Sequence, residues 1–246
     1  MTKPDFKKKE FFAVNLHETT HPAVIPEPPL TEGMRLLVIT SVAAERDAMM
    51  RGLRGSSRFD VRIGGVGPAA AAASTAAALA TSSYGLVLST GIAGGFPATA
   101  EVGSLVVANE IVAADLGAQT PEGFCSLDEL GFGSTRFPVD AQLTARVTSA
   151  LQAAGLPVTI GPVLTVSTVT GTAETASELA ARVPGAAAEA MEGFGVATAA
   201  QACGLPFLEI RAISNAVGPR DRESWRIREA LDLLEQASGV LLEVFE

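Results

Sequence analysis

The sequence predicts an α/β fold, a single domain in which a central β-sheet is flanked by helices on both faces. Three observations carry this reading. Apolar runs of strand length alternate along the chain with segments of helical composition, and the strand-like runs are almost continuously apolar, the pattern of a doubly covered sheet. One such run passes directly into a glycine cluster, the kind of turn that delivers backbone to the carboxyl edge of a sheet, where ligands collect. The chain has 246 residues, 48% hydrophobic and 18% charged, enough for one well-buried core.

The elements follow in order. "MRLLVITS" (34–41) reads as a buried strand and "VAAERDAMMRGL" (42–53) as a helix. "FDVRIGG" (59–65) is a second strand, and the small-residue run "GPAAAAASTAAALAT" (67–81) a helix suited to close helix–sheet packing. "GLVLSTGIAGG" (85–95) is a strand ending in glycines, and "GSLVVANEIVAAD" (103–115) a long strand. "GPVLTVSTVT" (161–170) reads as strand, "AETASELAAR" (173–182) and "MEGFGVATAAQAC" (191–203) as helices, and "LPFLEIRAISNAV" (205–217) as the final strand. The closing 223–245 carries Ile227, Ala230, Leu231, Leu234 and Leu241 as a helical stripe.

Residues 1–33 are polar, charged and proline-bearing, and read as a flexible N-terminal extension, with a docked arm the disfavoured alternative; residues 34–246 form the working domain. All four lysines lie at Lys3, Lys7, Lys8 and Lys9, and both histidines, His17 and His21, also precede Met34. A domain starting near Met34 therefore excludes a Ser-His-Asp triad, a histidine metal site, a Schiff-base lysine and a phosphate-loop lysine. Its acid–base chemistry falls to carboxylates, with amides and backbone as donors. Cys125 and Cys203 lack paired or metal-type spacing, which suits a reducing cytoplasm. A net charge of −9 argues against a nucleic-acid or acidic-membrane partner. No apolar run reaches the ~20 residues of a membrane span, and no secretory signal is expected.

Four motifs carry chemistry. "GVGPAA" (65–70) matches a dinucleotide fingerprint, yet no Asp or Glu lies between Asp60 and Glu101 to hold a ribose, so a tight strand-to-helix turn is the better reading. "STGIAGGF" (89–96) puts Gly91, Gly94 and Gly95 where N–H groups can approach a ligand, though glycine turns at strand ends are common. Glu45 stands just past the first strand, placed as a general base for water or, more blandly, in solvent beside Arg46 and Asp47. Glu192 sits among Ala190, Met191, Gly193, Phe194 and Gly195 with no local partner, and a buried lone carboxylate is costly. Vicinal sugar hydroxyls would satisfy it. A role as a first-turn acid on the helix dipole leaves the flanking glycines unexplained.

Taken together, "ITSVAAERDAM", "STGIAGG", "VGSLVVANEIVAAD", "AMEGFGVA" and "RAISNAVG" resemble the nucleoside phosphorylase/nucleosidase superfamily from Met34 to the C-terminus. Within it, "SVAAERDAM", "STVTGTA" and "RAISNAVGPRDRESW" look most like the futalosine hydrolase branch, close to methylthioadenosine/S-adenosylhomocysteine nucleosidase. The resemblance implies a central mixed sheet of the nucleoside phosphorylase kind, a homo-oligomer with a dimer as first expectation, and no cofactor or metal. It places the water-activating glutamate on Glu45 and the ribose-binding pair on Met191 and Glu192. The glycine turn lining the pocket falls on Gly91–Gly95, with Ile92, Ala93 and Gly94 against substrate, and the base-binding segment on Thr170, Gly171 and Thr172.

Two departures from neighbouring branches sharpen the expectation. Phosphorylases place an arginine in the strand before the glycine turn; "GLVLSTG" has none, Ser89 standing there, which favours hydrolysis. Adenine-specific nucleosidases carry an acid where Asn215 stands. The Asn215 amide offers two donors to the O6 and N7 acceptors of hypoxanthine. The implied reaction cleaves the N-glycosidic bond of futalosine, releasing hypoxanthine and dehypoxanthine futalosine in menaquinone biosynthesis. A methylthioadenosine-type nucleosidase, a purine nucleoside phosphorylase and a non-catalytic nucleoside binder are the alternatives. Arg220 and Arg222 are weak candidates for a 5′ carboxylate arm, a solvated charge cluster being narrowly preferred, and Trp225 is either an aromatic wall or a packing residue.

Overall fold

The apolar run after Met34 forms β1 (Leu36–Thr40), buried along its whole length because helices cover both sides of it. The computed structural model describes residues 34–246; the expected N-terminal extension, with its lysines and histidines, lies outside the described residues. After β1 come α1 (Ala43–Gly52), β2 (Phe59–Ile63), α2 (Pro68–Thr81), β3 (Leu86–Gly95) and β4 (Leu105–Ala113). A two-stranded hairpin, β5 (Gly117–Thr120) and β6 (Gly123–Ser126), leads to the single turn α3 (Leu127–Leu130), β7 (Arg136–Pro138) and α4 (Ala141–Ala153). The chain closes with β8 (Val158–Thr165), α5 (Ala173–Arg182), β9 (Ala188–Ala190), α6 (Gly193–Ala202), β10 (Phe207–Ala216) and α7 (Ile227–Phe245).

The sheet is mixed, as the resemblance implies. β2, β1 and β3 are parallel neighbours, and β10 runs parallel along the other edge of β3. From there β10 pairs antiparallel with β4, β4 parallel with β8, β8 parallel with β9, and β9 antiparallel with β3. Those five strands therefore close a ring, from which β1 and β2 extend, while β7 adds to β4 at Glu110–Val112.

Leu36, Leu37, Ile39, Leu86, Leu88, Leu105 and Leu164 are sealed in the interior, each burial contributing about 1.5–3 kcal/mol. α1 packs on α7, where Gly52 admits the backbone of the partner helix, and α2 packs on α6. At the second contact a Cβ on Gly195 would stand 2.0 Å from the Pro68 carbonyl oxygen, so only glycine lets the helices meet. The stripe expected on α7 is buried at Ala230, Leu234 and Leu241; Ile227, at the helix start, is exposed.

Three segments differ from the sequence reading. The strand expected over 161–170 starts earlier, at Val158, and stops at Thr165, leaving 166–172 as a loop. The helix expected from Met191 begins at Gly193, because Ala188–Ala190 is drawn into the ring as β9. The hairpin, α3, β7 and α4 had no sequence assignment. Among the described residues no helix is long and apolar enough to cross a membrane, and Cys125 and Cys203 are unpaired.

Candidate active site

The site grows from a gap in the sheet. β1 stays beside β3 only as far as Ser89, and β9 joins the same edge at Gly94. Between them, residues 90–93 have no strand partner on that side, which leaves main-chain donors to be satisfied by other groups. Glu45, third residue of α1, supplies the acceptor: its Oε1 accepts the Ile92 N–H at 2.9 Å. Its Oε2 accepts the N–H of Ser41 at 2.8 Å and of Val42 at 3.2 Å, the reach back to the helix start that an acidic third residue makes. Glu45 is only 3% exposed, so the solvent-facing alternative is discarded. Three of its roughly four acceptor positions are filled by backbone; one remains for a ligand.

Gly91 makes this cradle possible. A Cβ there would lie 2.5 Å from Glu45 Oε1 and 3.0 Å from Nη1 of Arg211. Arg211, in register with Gly91 on β10 and 1% exposed, is the buried cation that sequence reasoning missed. Its Nε donates to Glu209 Oε1 at 2.8 Å and its Nη2 to Ser89 Oγ at 3.1 Å. Nη1 lies 3.3 Å from Glu192 Oε2 but makes no hydrogen bond. Burial would lower the guanidinium's proton affinity, yet the carboxylates of Glu209, Glu192 and Glu45 hold it above its ordinary range. Burial pushes Glu209 up from the usual carboxylate value, against the pull of Arg211. The cation expected to be missing near Ser89 is thus present, donated by the neighbouring strand and already committed to carboxylates.

Glu192, 5% exposed, caps the gap from the start of α6. Its Oε1 accepts the Gly67 N–H and its Oε2 the Met191 N–H, both at 3.3 Å. The "GVGPAA" turn therefore serves the site: Gly67 holds φ +92°, open to glycine, and turns its N–H onto the carboxylate. Arg211 is the protein partner that the local sequence did not reveal. The flanking glycines also gain a reason, since a Cβ on Gly193 would stand 2.0 Å from Glu209 Oε2. Half-buried Met191 sits directly beside Glu192, in the turn that links β9 to α6.

On the other side of β3, a bulge at Ser214 sets Asn215 opposite Gly94. Ser214 Oγ donates to Asn215 Oδ1 at 2.9 Å and lies 3.2 Å from the Ala93 carbonyl oxygen, while Asn215 Nδ2 donates to the Ala216 carbonyl at 3.0 Å. One of the two expected amide donors is therefore used internally and one is left. Gly94 also faces Glu189 of β9, so it is flanked by Glu189 and Asn215 in one row. Glu189 accepts the Thr170 N–H at 2.9 Å and the Thr170 hydroxyl; burial pushes its carboxyl up, and the Thr170 bonds oppose the shift. Thr172 spends its hydroxyl capping α5, accepting the Thr175 N–H, and the Gly171 carbonyl accepts the Arg220 N–H. Arg220 and Arg222 lie over the Trp225 ring, 5.1 and 5.8 Å from its centre.

Glu45 and Asn215 are thus brought to opposite edges of one stretch, Gly91–Gly94, roughly 10 Å long at strand rise. Among the described residues no group of three or more His, Cys, Asp or Glu side chains could hold a metal ion. Arg211 and Glu209 had one sequence signal: two charges at a spacing of two inside an otherwise apolar strand, hence on one buried face.

The sequence matches, over residues 39–246, the family model described as "Phosphorylase superfamily", and the chain belongs to that superfamily. Among solved structures, methylthioadenosine/S-adenosylhomocysteine nucleosidase from Neisseria meningitidis, in complex with methylthio-immucillin-A, shares the fold with a TM-score of 0.72 at 20% identity, over 86% of this chain and 98% of that one. Futalosine hydrolase of Helicobacter pylori gives 0.70 at 18% identity, over 86% and 97%. Curated relatives are nearer in sequence. Futalosine hydrolase of Streptomyces coelicolor is 52% identical over 87% of this chain and 97% of its own length, and that of Acidothermus cellulolyticus 47% over 85% and 90%. Within the superfamily, the chain is a member of the futalosine hydrolase family.

Proposed function

We propose that the chain hydrolyses the N-glycosidic bond of futalosine, releasing hypoxanthine and dehypoxanthine futalosine. The observation that carries the mechanism is the Glu45 cradle: a buried carboxylate fixed by three main-chain donors, with one acceptor position open beside Glu192 and Arg211. Water bound there gives its proton to Glu45 as it attacks C1′. Glu192 and Met191 hold the ribose, and the Glu192 charge favours the cationic sugar of the transition state. The remaining Asn215 N–H donates to the purine's O6/N7 edge as negative charge builds on the leaving base. Ile92, Ala93 and Gly94 line the floor, and Thr170, Gly171 and Thr172 border the base. Arg220 and Arg222, beside Trp225 and the Gly171 segment, are the candidates to meet an anionic 5′ arm, against a solvated charge cluster.

Hydrolysis is favoured over phosphorolysis by charge. A phosphate entering the gap would face Glu45 and Glu192, with the one buried guanidinium already bonded to Glu209 and Ser89. The reaction needs no cofactor. A place in menaquinone biosynthesis, a cytoplasmic location and a homodimer belong to the same reading. Incubation with futalosine in phosphate-free buffer, followed by chromatography, tests it: hypoxanthine is expected at a rate independent of added phosphate. Faster adenine release from methylthioadenosine, or a requirement for phosphate, would overturn it.

A further inference from the structure

Glu209 has no contact with solvent and is 0% exposed. Its Oε1 accepts from Arg211 Nε, while its Oε2 has no partner and occupies the space that a Cβ on Gly193, the first residue of α6, would fill. The groups that face Arg211 are Glu45 from α1, Glu192 from the turn before α6 and Glu209 from its own strand, three carboxylates around one guanidinium. Stability does not account for such an arrangement, because a buried ion pair is commonly matched or surpassed by apolar residues of the same shape. What Glu209 does control is aim. Arg211 is tethered at Nε and Nη2, and this leaves Nη1 as a buried, unpartnered donor lodged between Glu192 Oε2 and, across Gly91, Glu45 Oε1.

We propose that Glu209 is a positioning residue for the hydrolysis: through Arg211 it directs Nη1 at the point shared by Glu45 and Glu192 and offsets part of the guanidinium charge felt there. Without that offset, the uncompensated guanidinium charge disfavours delivery of a proton to that point. The inference rests on the proposed roles of Glu45 and Glu192. It makes Glu209 necessary to the rate although it touches no substrate.

The test compares Glu209→Gln, Glu209→Asp and Glu45→Gln, each followed by hypoxanthine release from futalosine across pH, with thermal melting to confirm folding. Glu209→Gln keeps the size and an acceptor for Nε but removes the charge. Its kcat is expected to fall about tenfold or more with KM little changed, and the acidic limb of its pH profile to move about one unit lower. Glu209→Asp, which keeps the charge at shorter reach, is expected to hold that limb nearer the parent while kcat stays reduced. A Gln variant with parental kcat and limb would overturn the proposal, whatever its melting temperature. Should Gln not fold, a parental kcat in the Asp variant does the same. Glu45→Gln separates the two readings: if it keeps parental activity, the role of Glu45 fails, whereas an inactive Glu45→Gln beside an unshifted Glu209→Gln removes only the role of Glu209.

Discussion

The two ends of the Gly91–Gly94 stretch of β3 solve one problem, the burial of polar groups, in opposite ways. At the Gly91 end, Glu45, Glu192 and Glu209 surround Arg211, and full charges face each other. At the Gly94 end, Asn215 is held by a hydroxyl and a carbonyl, and Glu189 by the N–H and hydroxyl of Thr170. Both Glu209 and Glu189 are pushed up by burial, but a cation opposes the shift only at Glu209. The charged end suits a step in which charge develops on water and sugar. The neutral end suits recognition, where an unmatched donor costs more than a matched one gains. Rate and base choice should therefore be separable by mutation.

The largest expected effect is at the charged end. Glu45→Gln should lower kcat for hypoxanthine release by about 10²–10⁴ and leave the preference among bases unchanged; a changed preference would break the separation. Gly91→Ala should come next, because its Cβ would intrude on both Glu45 and Arg211. Overpacking of this kind costs about 1–3 kcal/mol, read as a lower melting temperature together with reduced kcat. At the neutral end, Asn215→Asp should shift the kcat/KM ratio for inosine-type over adenosine-type nucleosides by about 1–3 kcal/mol toward adenine, measured by competition between the two substrates.

The smallest effect concerns Glu189. Its carboxyl binds a proton more tightly folded than unfolded, so its share of stability is complete below the ordinary carboxylate value, ~4.3, and is lost as pH rises through the raised native value. Glu189→Gln removes that loss. Its melting temperature should fall less steeply than the parent's from pH 4.5 upward, with Glu209 still contributing a slope of the same sign. Parallel curves for parent and variant would remove Glu189 from the pH response.

Much of the fold is legible where strands are long and sealed. β1, β3 and β10 announce themselves as apolar runs, and the α7 stripe by its period. β9 is not legible: three residues in an alanine-rich stretch look helical, and only ring closure against β3 and β8 makes them a strand. The same holds for the site. Glu45, Glu192 and Asn215 stand out as polar residues at strand ends. Arg211 and Glu209 lie inside a run whose apolar neighbours hide them, and their pairing needs Ser89 and Gly193 from distant parts of the chain. Thr172, proposed to border the base, also caps α5 with its hydroxyl, a local use that sequence spacing permits.

The departure of β1 from β3 at Ser89 has a consequence for how this scaffold can change over time. The donors that grip Glu45 belong to the main chain, at Ser41, Val42 and Ile92, so no substitution there other than proline deletes them. Under the proposed mechanism, the water-activating half is thus inherited with the topology itself, while the half proposed to meet the nucleobase is written in replaceable side chains. A lineage can exchange one nucleobase for another by altering Asn215 and its neighbours without rebuilding the water-activating end.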